Sequence, residues 1–248
     1  MSIEAWQNDR KLLRQHFDDG VPENPTEAEV GQIWAAHHAD GETVVAQEDA
    51  LFERCLALKR GGRFLEIGIG YNPRMNRISQ MVADGIAYTG LDLTIVCEHH
   101  RPMLEAAARQ GLAYRLIGNR AGSYLYNVFD LARAGETFDL IYFDGHHTMY
   151  VDAGPLAIAA GLLAPDGILV VDDVDWSLSR LALEMYLSYP VWNFYRNHYD
   201  FDQYEPAQIR ECPMQALVDV VLVKQLGFEI HPELACVRKA VLRRRLTR

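Results

Sequence analysis

The fold of this chain is decided by residues Phe138–Trp176, FDLIYFDGHHTMYVDAGPLAIAAGLLAPDGILVVDDVDW. Two short apolar runs, Leu140–Phe143 and Ile168–Val171, flank a helix-length segment, Val151–Leu163. A strand, a crossover helix and a second strand form a βαβ unit. We therefore expect two parallel strands that are buried on both faces.

Both apolar runs end in acid. Asp144 follows the first run, and Asp172 and Asp173 follow the second. Parallel strands bring their carboxyl ends to one sheet edge, where open α/β sheets bind ligands. Two adjacent acids would repel each other without a cation or a donor nearby, which favours a metal site. The alternative is that one acid of the pair caps the following helix.

The rest of the chain alternates strands and helices, which is typical of a doubly wound α/β fold with a mostly parallel sheet. Three further strands are predicted at Phe64–Ile67, Ala87–Leu91 and Tyr114–Ile117. The helices after them are predicted at Pro73–Val82, His99–Gln110 and Ser123–Arg133. After a helix at Met214–Leu226, the runs Gly227–Ile230 and Leu234–Val241 predict an antiparallel pair at the sheet edge.

Two regions fall outside this alternation. Residues 1–61 predict a helical extension with helices at Ile3–Phe17, Thr26–His38 and Gln47–Lys59. These helices could cover a sheet edge, close an active site or form a homo-oligomer contact, and the sequence does not choose among them. Residues 62–248 form the second predicted domain, with an aromatic-rich insertion at 176–213 that lines an apolar cleft or forms a small satellite core.

The composition is that of an ordinary globular protein, with 248 residues, 49% hydrophobic and 23% charged. A formal net charge of −10 argues against a nucleic-acid partner, which would require a basic face. A basic cluster near the C-terminus is predicted to be a solvated strand end and tail. Its members are Arg238, Lys239, Arg243, Arg244, Arg245 and Arg248.

The expected location is the cytoplasm. The four cysteines are widely spaced, which suits a reducing compartment better than a disulfide scaffold or a zinc site. Charged residues are scattered through residues 1–30, so no signal-peptide apolar region is expected there. No apolar run approaches the roughly 18 residues needed to span a membrane.

The segment FLEIGIGYNP, Phe64–Pro73, reads as a strand, a glycine-bearing turn and a helix start. Gly68 and Gly70 let a ligand approach bare backbone beside unpaired N–H groups. A dinucleotide site would need a third glycine where Pro73 stands, which argues against a nicotinamide enzyme. Glu66, just before the glycines, suits a cationic ligand better than a pyrophosphate.

Asp92 ends the second strand, 22 residues after Gly70. An acid in this place hydrogen-bonds a ribose diol in nucleoside-binding α/β folds. Strand-end acids also cap helices, so the single residue carries little weight. Together with Glu66, Gly68 and Gly70 it forms a more specific signature.

With these motifs the chain resembles class I S-adenosylmethionine-dependent methyltransferases, whose fold has a seven-stranded sheet. The resemblance covers about residues 62–175 and 214–242. It implies that Gly68 and Gly70 approach the methionine part of the cofactor and that Asp92 holds the ribose hydroxyls. Asn119 and Arg120, after the third strand, would then flank the adenine.

Asp144, with the pair Asp172 and Asp173, is similar to the ligand set of the metal-dependent O-methyltransferases, of the catechol, caffeoyl-coenzyme A and macrolide-sugar types. The resemblance implies that these three acids hold Mg²⁺ or Mn²⁺, a hard cation that prefers carboxylate oxygens. The double Asp favours the sugar type over the catechol type. His147 stands where that family has its base, and an imidazole can accept a hydroxyl proton near neutral pH. His146 is the alternative base, or a positioning residue.

The sequence therefore predicts an O-methyltransferase that transfers a methyl group from S-adenosylmethionine to a hydroxyl of a small molecule, such as a sugar, polyphenol or other natural product. Two alternatives remain open. One is a metal-independent methyltransferase of the same fold with His147 as the base. The other is a non-catalytic nucleotide-fold module that binds a protein partner.

Overall fold

The computed structural model describes residues 41–70, 75–119, 124–147, 149–174, 212–234, 236 and 239–245. By their contacts, Ala46–Asp175 and Met214–Arg248 belong to one unit, and Met1–Val45 with Trp176–Pro213 to a second. The predicted helices within residues 1–40 and nearly all of the aromatic-rich insertion lie outside the described residues. Within the described part of the chain, no helix has the length and apolar character that crossing a membrane requires.

Strands and helices alternate along the chain as the sequence predicts. The strands are β1 (Arg63–Ile67), β2 (Ala87–Asp92), β3 (Ala113–Gly118), β4 (Phe138–Phe143), β5 (Leu163–Val171), β6 (Phe228–Ile230) and β7 (Ala240–Arg244). The helices are α1 (Gly41–Leu58), α2 (Met75–Ala83), α3 (Thr94–Ala108), α4 (Leu125–Arg133), α5 (Met149–Gly161) and α6 (Pro213–Leu217). A π-helix over Val218–Gln225 continues α6.

The strands form one seven-stranded sheet in the order β3-β2-β1-β4-β5-β7-β6. Strands β1 to β5 pair in parallel, whereas β7 is antiparallel to both β5 and β6. The order reverses direction at β1 and β4, which is the point where doubly wound sheets bind ligands. The predicted fold class and the antiparallel pair at the edge are confirmed.

Two helical layers cover the sheet, because successive strand residues face opposite sides. On one side, Leu65 and Ile67 of β1 pack with residues of α4, α5 and α6. On the other, Phe64 packs with residues of α1, α2 and α3. The sheet is thus buried on both faces, as near-continuous apolar strands require.

Some boundaries differ from the prediction. Helix α3 begins at Thr94 rather than His99, because Val96 and Cys97 in its first turns are buried. Strand β7 begins at Ala240 rather than Leu234, since an isolated bridge between Cys236 and Lys239 precedes the strand.

Strand β5 begins earlier than predicted, at Leu163 rather than Ile168. Leu163 pairs with Phe138, and the register then shifts before Leu140 pairs with Ile168. The segment Pro165–Gly167, which the sequence marks as a break, is therefore an irregularity within the strand.

Gly68 fixes the approach of β1 to β4 at the carboxyl edge of the sheet. Its φ of +85° lies in the left-handed region, and a Cβ there would overlap the backbone carbonyl of Asp144. The Gly68 N–H donates to the Leu91 carbonyl oxygen at 2.9 Å, and the Asp144 N–H donates to the Ile67 carbonyl oxygen at 2.8 Å. No L-residue with a side chain fits this position without moving a strand end.

We expect Gly68→Ala to lower the free energy of unfolding by at least about 2 kcal/mol, from the positive φ and the backbone overlap together. Gly161→Ala is the matched control, because Gly161 ends α5 and a Cβ there meets nothing within 4 Å. The control should change stability by no more than about 0.5 kcal/mol. Urea unfolding followed by circular dichroism measures both, and equal stabilities would contradict the overlap at Gly68.

Candidate functional site

The carboxyl ends of β1, β4 and β5 lie side by side in the sheet. Sheet hydrogen bonding extends beyond the strands, because the Asp172 N–H donates to the Phe143 carbonyl oxygen at 2.9 Å. Asp144 therefore stands next to the start of the Asp172–Asp173 pair, although 28 residues separate Asp144 from Asp172 in the sequence. Asp144 and the Asp172–Asp173 pair therefore leave the sheet at the same edge.

A cleft with a volume of about 210 Å³ opens at this edge. It contains four of the six residues predicted to bind the cofactor. The lining residues are Gly68, Gly70, Asp92, Leu93, Asn119, Tyr124, Asp144, Gly145 and His146. Arg120, the remaining prediction from the loop after β3, lies outside the described residues.

Asp92 shapes the glycine turn as well as facing the cleft. Its Oδ2 accepts the N–H groups of Ile69 at 2.7 Å and Gly70 at 2.9 Å. Its Oδ1 accepts the N–H of Leu93, directly before α3. Gly70, with φ +68°, adopts the left-handed conformation that glycine favours. One carboxylate thus connects the glycine turn to the start of the next helix.

Asn119 reaches the cleft because the chain leaves β3 beside β2. The Asn119 N–H donates to the Asp92 carbonyl oxygen at 2.7 Å. Asn127 on α4 donates to the Gly118 carbonyl oxygen at 3.0 Å and so holds the end of β3. Asp92 and Asn119 therefore face the same cleft from neighbouring strand ends.

Glu66 is not brought to this cleft. It is buried, its Oε1 accepts from Arg77 at 2.9 Å, and its Oε2 accepts from the Tyr88 hydroxyl at 2.7 Å. Burial, as the largest cause, raises the pKa of Glu66, while the Arg77 charge and the Tyr88 hydrogen bond oppose that shift. Its neighbours make it a structural acid between the sheet and α2.

Asp144, His147 and Asp173 form a compact cluster. His147 Nε2 lies 2.9 Å from Asp144 Oδ1 and 3.3 Å from Asp173 Oδ2. One ligand atom from each residue lies within 4.8 Å of the others. His147 and Asp173 have positive φ values of 59° and 51°, which are uncommon for residues other than glycine. Such backbone strain concentrates at functional sites.

The charges in the cluster shift one another's protonation. Burial raises the pKa of Asp173 to about 7, with the Asp172 and Asp144 charges adding to the rise and His147 opposing it. Burial and the Asp172 charge also raise the pKa of Asp144. Burial lowers the pKa of His147, but the hydrogen bond to Asp144 and the charges of Asp173 and Asp144 outweigh it and raise the pKa to about 10.

The structure does not bring Asp172 into this cluster. Its Oδ1 accepts from the Lys239 ammonium and from the Asp173 N–H, and its Oδ2 accepts from the Tyr142 hydroxyl. Burial alone would raise the pKa of Asp172, yet the Lys239 charge and these hydrogen bonds lower it. Asp172 is therefore an ionised acid whose two oxygens are already hydrogen-bonded.

Lys239 was predicted to be part of a solvated basic tail, and that prediction is wrong. The residue is only 6% exposed, because it points between Asp172 and Glu48 of α1. Arg243 and Arg244, by contrast, are partly exposed on β7. A charge run in the sequence does not reveal which member turns inward.

Sequence reasoning also missed Asp152, a fully buried acid in the first turn of α5. Its Oδ1 accepts from the Tyr124 hydroxyl and from the His146 N–H. The His146 ring stacks on Tyr124 with centroids 5.8 Å apart. A Cβ on Gly145 would overlap both Asp152 and Tyr124. Asp152 thus fixes the loop that carries Asp144 and His147.

The cluster fits a divalent cation. Two carboxylates and an imidazole are chemically suitable ligands, and carboxylates suit Mg²⁺ or Mn²⁺ in particular. The raised pKa values of Asp144 and Asp173 show that the acids lack sufficient compensating charge. A cation placed among them would supply that charge.

No protein-family profile matches the sequence, and no curated protein matches it. Among solved structures, the chain is similar to a Podospora anserina methyltransferase with S-adenosylhomocysteine bound, at 16% identity and a TM-score of 0.52, over 99% of this chain and 97% of that one. It is also similar to an O-methyltransferase family protein from Burkholderia thailandensis, at 14% identity and a TM-score of 0.50, over 98% of this chain and 71% of that one.

A S-adenosylmethionine-dependent methyltransferase from Thiobacillus denitrificans, in complex with S-adenosylhomocysteine, matches at 24% identity and a TM-score of 0.36. That match covers 49% of this chain and 46% of the other, so this chain spans about half of its length. The likenesses over nearly the whole chain, together with the strand order, show that this protein has the class I methyltransferase fold.

Proposed function

We propose that this protein is a S-adenosylmethionine-dependent O-methyltransferase that acts on a hydroxyl group of a small molecule with the help of Mg²⁺ or Mn²⁺. The observation that carries the proposal is the position of Asp144. It lines the cleft beside the glycine turn and also belongs to the cluster with His147 and Asp173. A cofactor cleft and a cation-binding cluster thus share one residue.

The cleft suits S-adenosylmethionine in its chemistry. Gly68 and Gly70 expose backbone to the methionine part of the cofactor, and Asp92 offers carboxylate oxygens to the ribose hydroxyls. Asn119, which lines the same cleft, is proposed to flank the adenine. Asp144 places negative charge at the same edge, which favours a cationic sulfonium.

Asp144 and Asp173 would hold the cation, and His147 would lie beside it as the base. When bound, it would lower the pKa of an acceptor hydroxyl and fix the oxygen for attack on the methyl group. The chain's own contribution is orientation, because the loop held by Asp152 and the left-handed backbone at Asp173 point the ligand atoms inward.

His147 is proposed as the base, and its surroundings set a condition on that role. With a pKa of about 10, the imidazole holds its proton at neutral pH and cannot accept another. The shift comes from the two carboxylates that face its Nε2. Neutralising those carboxylates returns the pKa toward its ordinary value near 6.5, so the base and the cation depend on each other.

The acceptor is proposed to be a hydroxylated natural product, a sugar or a polyphenol. The runner-up is a metal-independent methyltransferase of the same fold. A non-catalytic module finds no specific support, since the cleft and the cluster adjoin.

We expect methyl transfer from S-adenosylmethionine to a panel of catechols and glycosides to stop with EDTA and to return with Mg²⁺. His147→Ala should lower the rate by about a hundredfold or more, as expected for loss of a general base. Labelled methyl incorporation measures both. Transfer that is indifferent to the chelator would select the metal-independent enzyme.

Asp92→Asn should weaken binding of S-adenosylhomocysteine by about tenfold to a hundredfold, because charged hydrogen bonds to the ligand and to the glycine turn are lost. Glu105→Gln, on the exposed face of α3, is the matched control and should bind as wild type does. Titration calorimetry measures the dissociation constants. Equal values for the two variants would remove Asp92 from the cofactor site.

Mn²⁺ should bind more weakly as the pH falls from 8 to 6. Asp173, with a pKa of about 7, must be ionised to be a ligand, so its ionised fraction and the affinity fall together through this range. The expected change is about tenfold, and any proton that His147 releases on binding steepens it. Asp173→Asn should flatten the profile. Calorimetric titrations at both pH values test this, and a pH-independent affinity would contradict it.

A further inference from the structure

Lys239 brings a positive charge into the interior beside the candidate cation site. Its side chain is 3% exposed, and its Nζ lies 3.1 Å from Glu48 Oε1 and in direct contact with Asp172 Oδ1. The same Nζ lies 5.5 Å from the centre of the Tyr142 ring. The Lys239 ammonium, directly before β7, therefore contacts α1 and β4 as well as the acid that follows β5.

Both oxygens of the Asp172 carboxylate accept hydrogen bonds, and one of the donors is the Lys239 ammonium. Lys239 and the Asp173 N–H share Oδ1, while the Tyr142 hydroxyl takes Oδ2. Asp172 is 6% exposed, so water does not compete for these partners as it would at the surface. Asp172 and Asp173, although adjacent at the end of β5, thus have different surroundings.

The same bonds act on Asp173. Its N–H donates to Asp172 Oδ1 at 2.8 Å, and its φ of 51° turns the chain as it leaves β5. Its own carboxylate then reaches His147 at 3.3 Å. Holding Asp172 in place therefore holds the backbone that aims Asp173.

We propose that Lys239 is a positioning residue, whose ammonium keeps Asp172 out of the cation site and makes it the support that directs Asp173 toward Asp144 and His147. This inference rests on the proposed function, in that a divalent cation binds the cluster. It departs from the ligand set implied by resemblance, because two carboxylates rather than three hold the cation.

Removing the Lys239 ammonium frees a third carboxylate beside the cluster and withdraws a positive charge, so cation binding should become tighter. Damage to the fold would weaken binding instead. A gain in affinity therefore separates a positioning role from a merely structural one.

The test measures Mn²⁺ binding without cofactor, from the loss of the free-ion signal in electron paramagnetic resonance. Lys239→Met is made in the Glu48→Gln background, so that the buried Glu48 carboxylate does not lose its ion pair with Lys239. Glu48→Gln alone is the matched control. We expect the double variant to bind Mn²⁺ at least about tenfold tighter than the control, a change typical of altered surroundings of a metal site.

Asp172→Asn is then added to the Glu48→Gln control and to the double variant, which completes a double-mutant cycle. Without the Asp172 carboxylate, the gain from Lys239→Met should fall to about threefold or less, the part due to charge alone. Equal gains with and without Asp172, or no gain at all, would overturn the inference. Circular dichroism melting establishes that each variant is folded.

A second comparison leaves Lys239 untouched and decides the matter should the methionine variant not fold. Asp173→Asn should weaken Mn²⁺ binding at least about tenfold more than Asp172→Asn does, because only Asp173 is a ligand. Equal losses would make both acids ligands and overturn the inference. A wild-type protein that binds no Mn²⁺ would remove the cation from the proposed function and this inference with it, whereas equal losses in a protein that does bind Mn²⁺ overturn the inference alone.

Discussion

Repulsion between three carboxylates is the main constraint on the carboxyl edge of this sheet. Parallel pairing of β1, β4 and β5 brings Asp144, Asp172 and Asp173 to one edge, where burial penalises each charge. The acids have different partners that offset this repulsion. Lys239 and Tyr142 take Asp172, and His147 lies between the other two acids. Two of the three acids still have raised pKa values, because burial and the neighbouring acids disfavour their charged forms.

The glycine turn completes the edge through backbone rather than charge. Gly68 allows the end of β1 to touch the end of β4, so the cleft and the acidic cluster meet at Asp144. Asp92 then holds the turn open with its carboxylate. Because both features depend on strand ends that are hydrogen-bonded to each other, the sheet sets the distance between the glycine turn and the cluster.

The sequence was sufficient to predict the sheet, the antiparallel edge and most of the cleft. Apolar runs show where strands end, and the positions of glycines can be read directly. It was insufficient to predict toward which face of the sheet a given polar side chain points. Ile168 and Val170 pack toward α1, and Asp172 continues the same alternation toward Lys239. Glu66 likewise follows Phe64 toward α2 and meets Arg77. Those partners lie far away in the sequence or on another element, so only the folded packing identifies them.

The left-handed backbone at His147 and Asp173 limits how this edge can change in evolution or in a mutational library. Asn, Asp and Gly enter that region at low cost, whereas β-branched residues are strongly disfavoured. Histidine, like Asn and Asp, enters that region more readily than other residues that carry a side chain. The left-handed backbone therefore restricts positions 147 and 173 to a small set of residues, whatever their side chains bind.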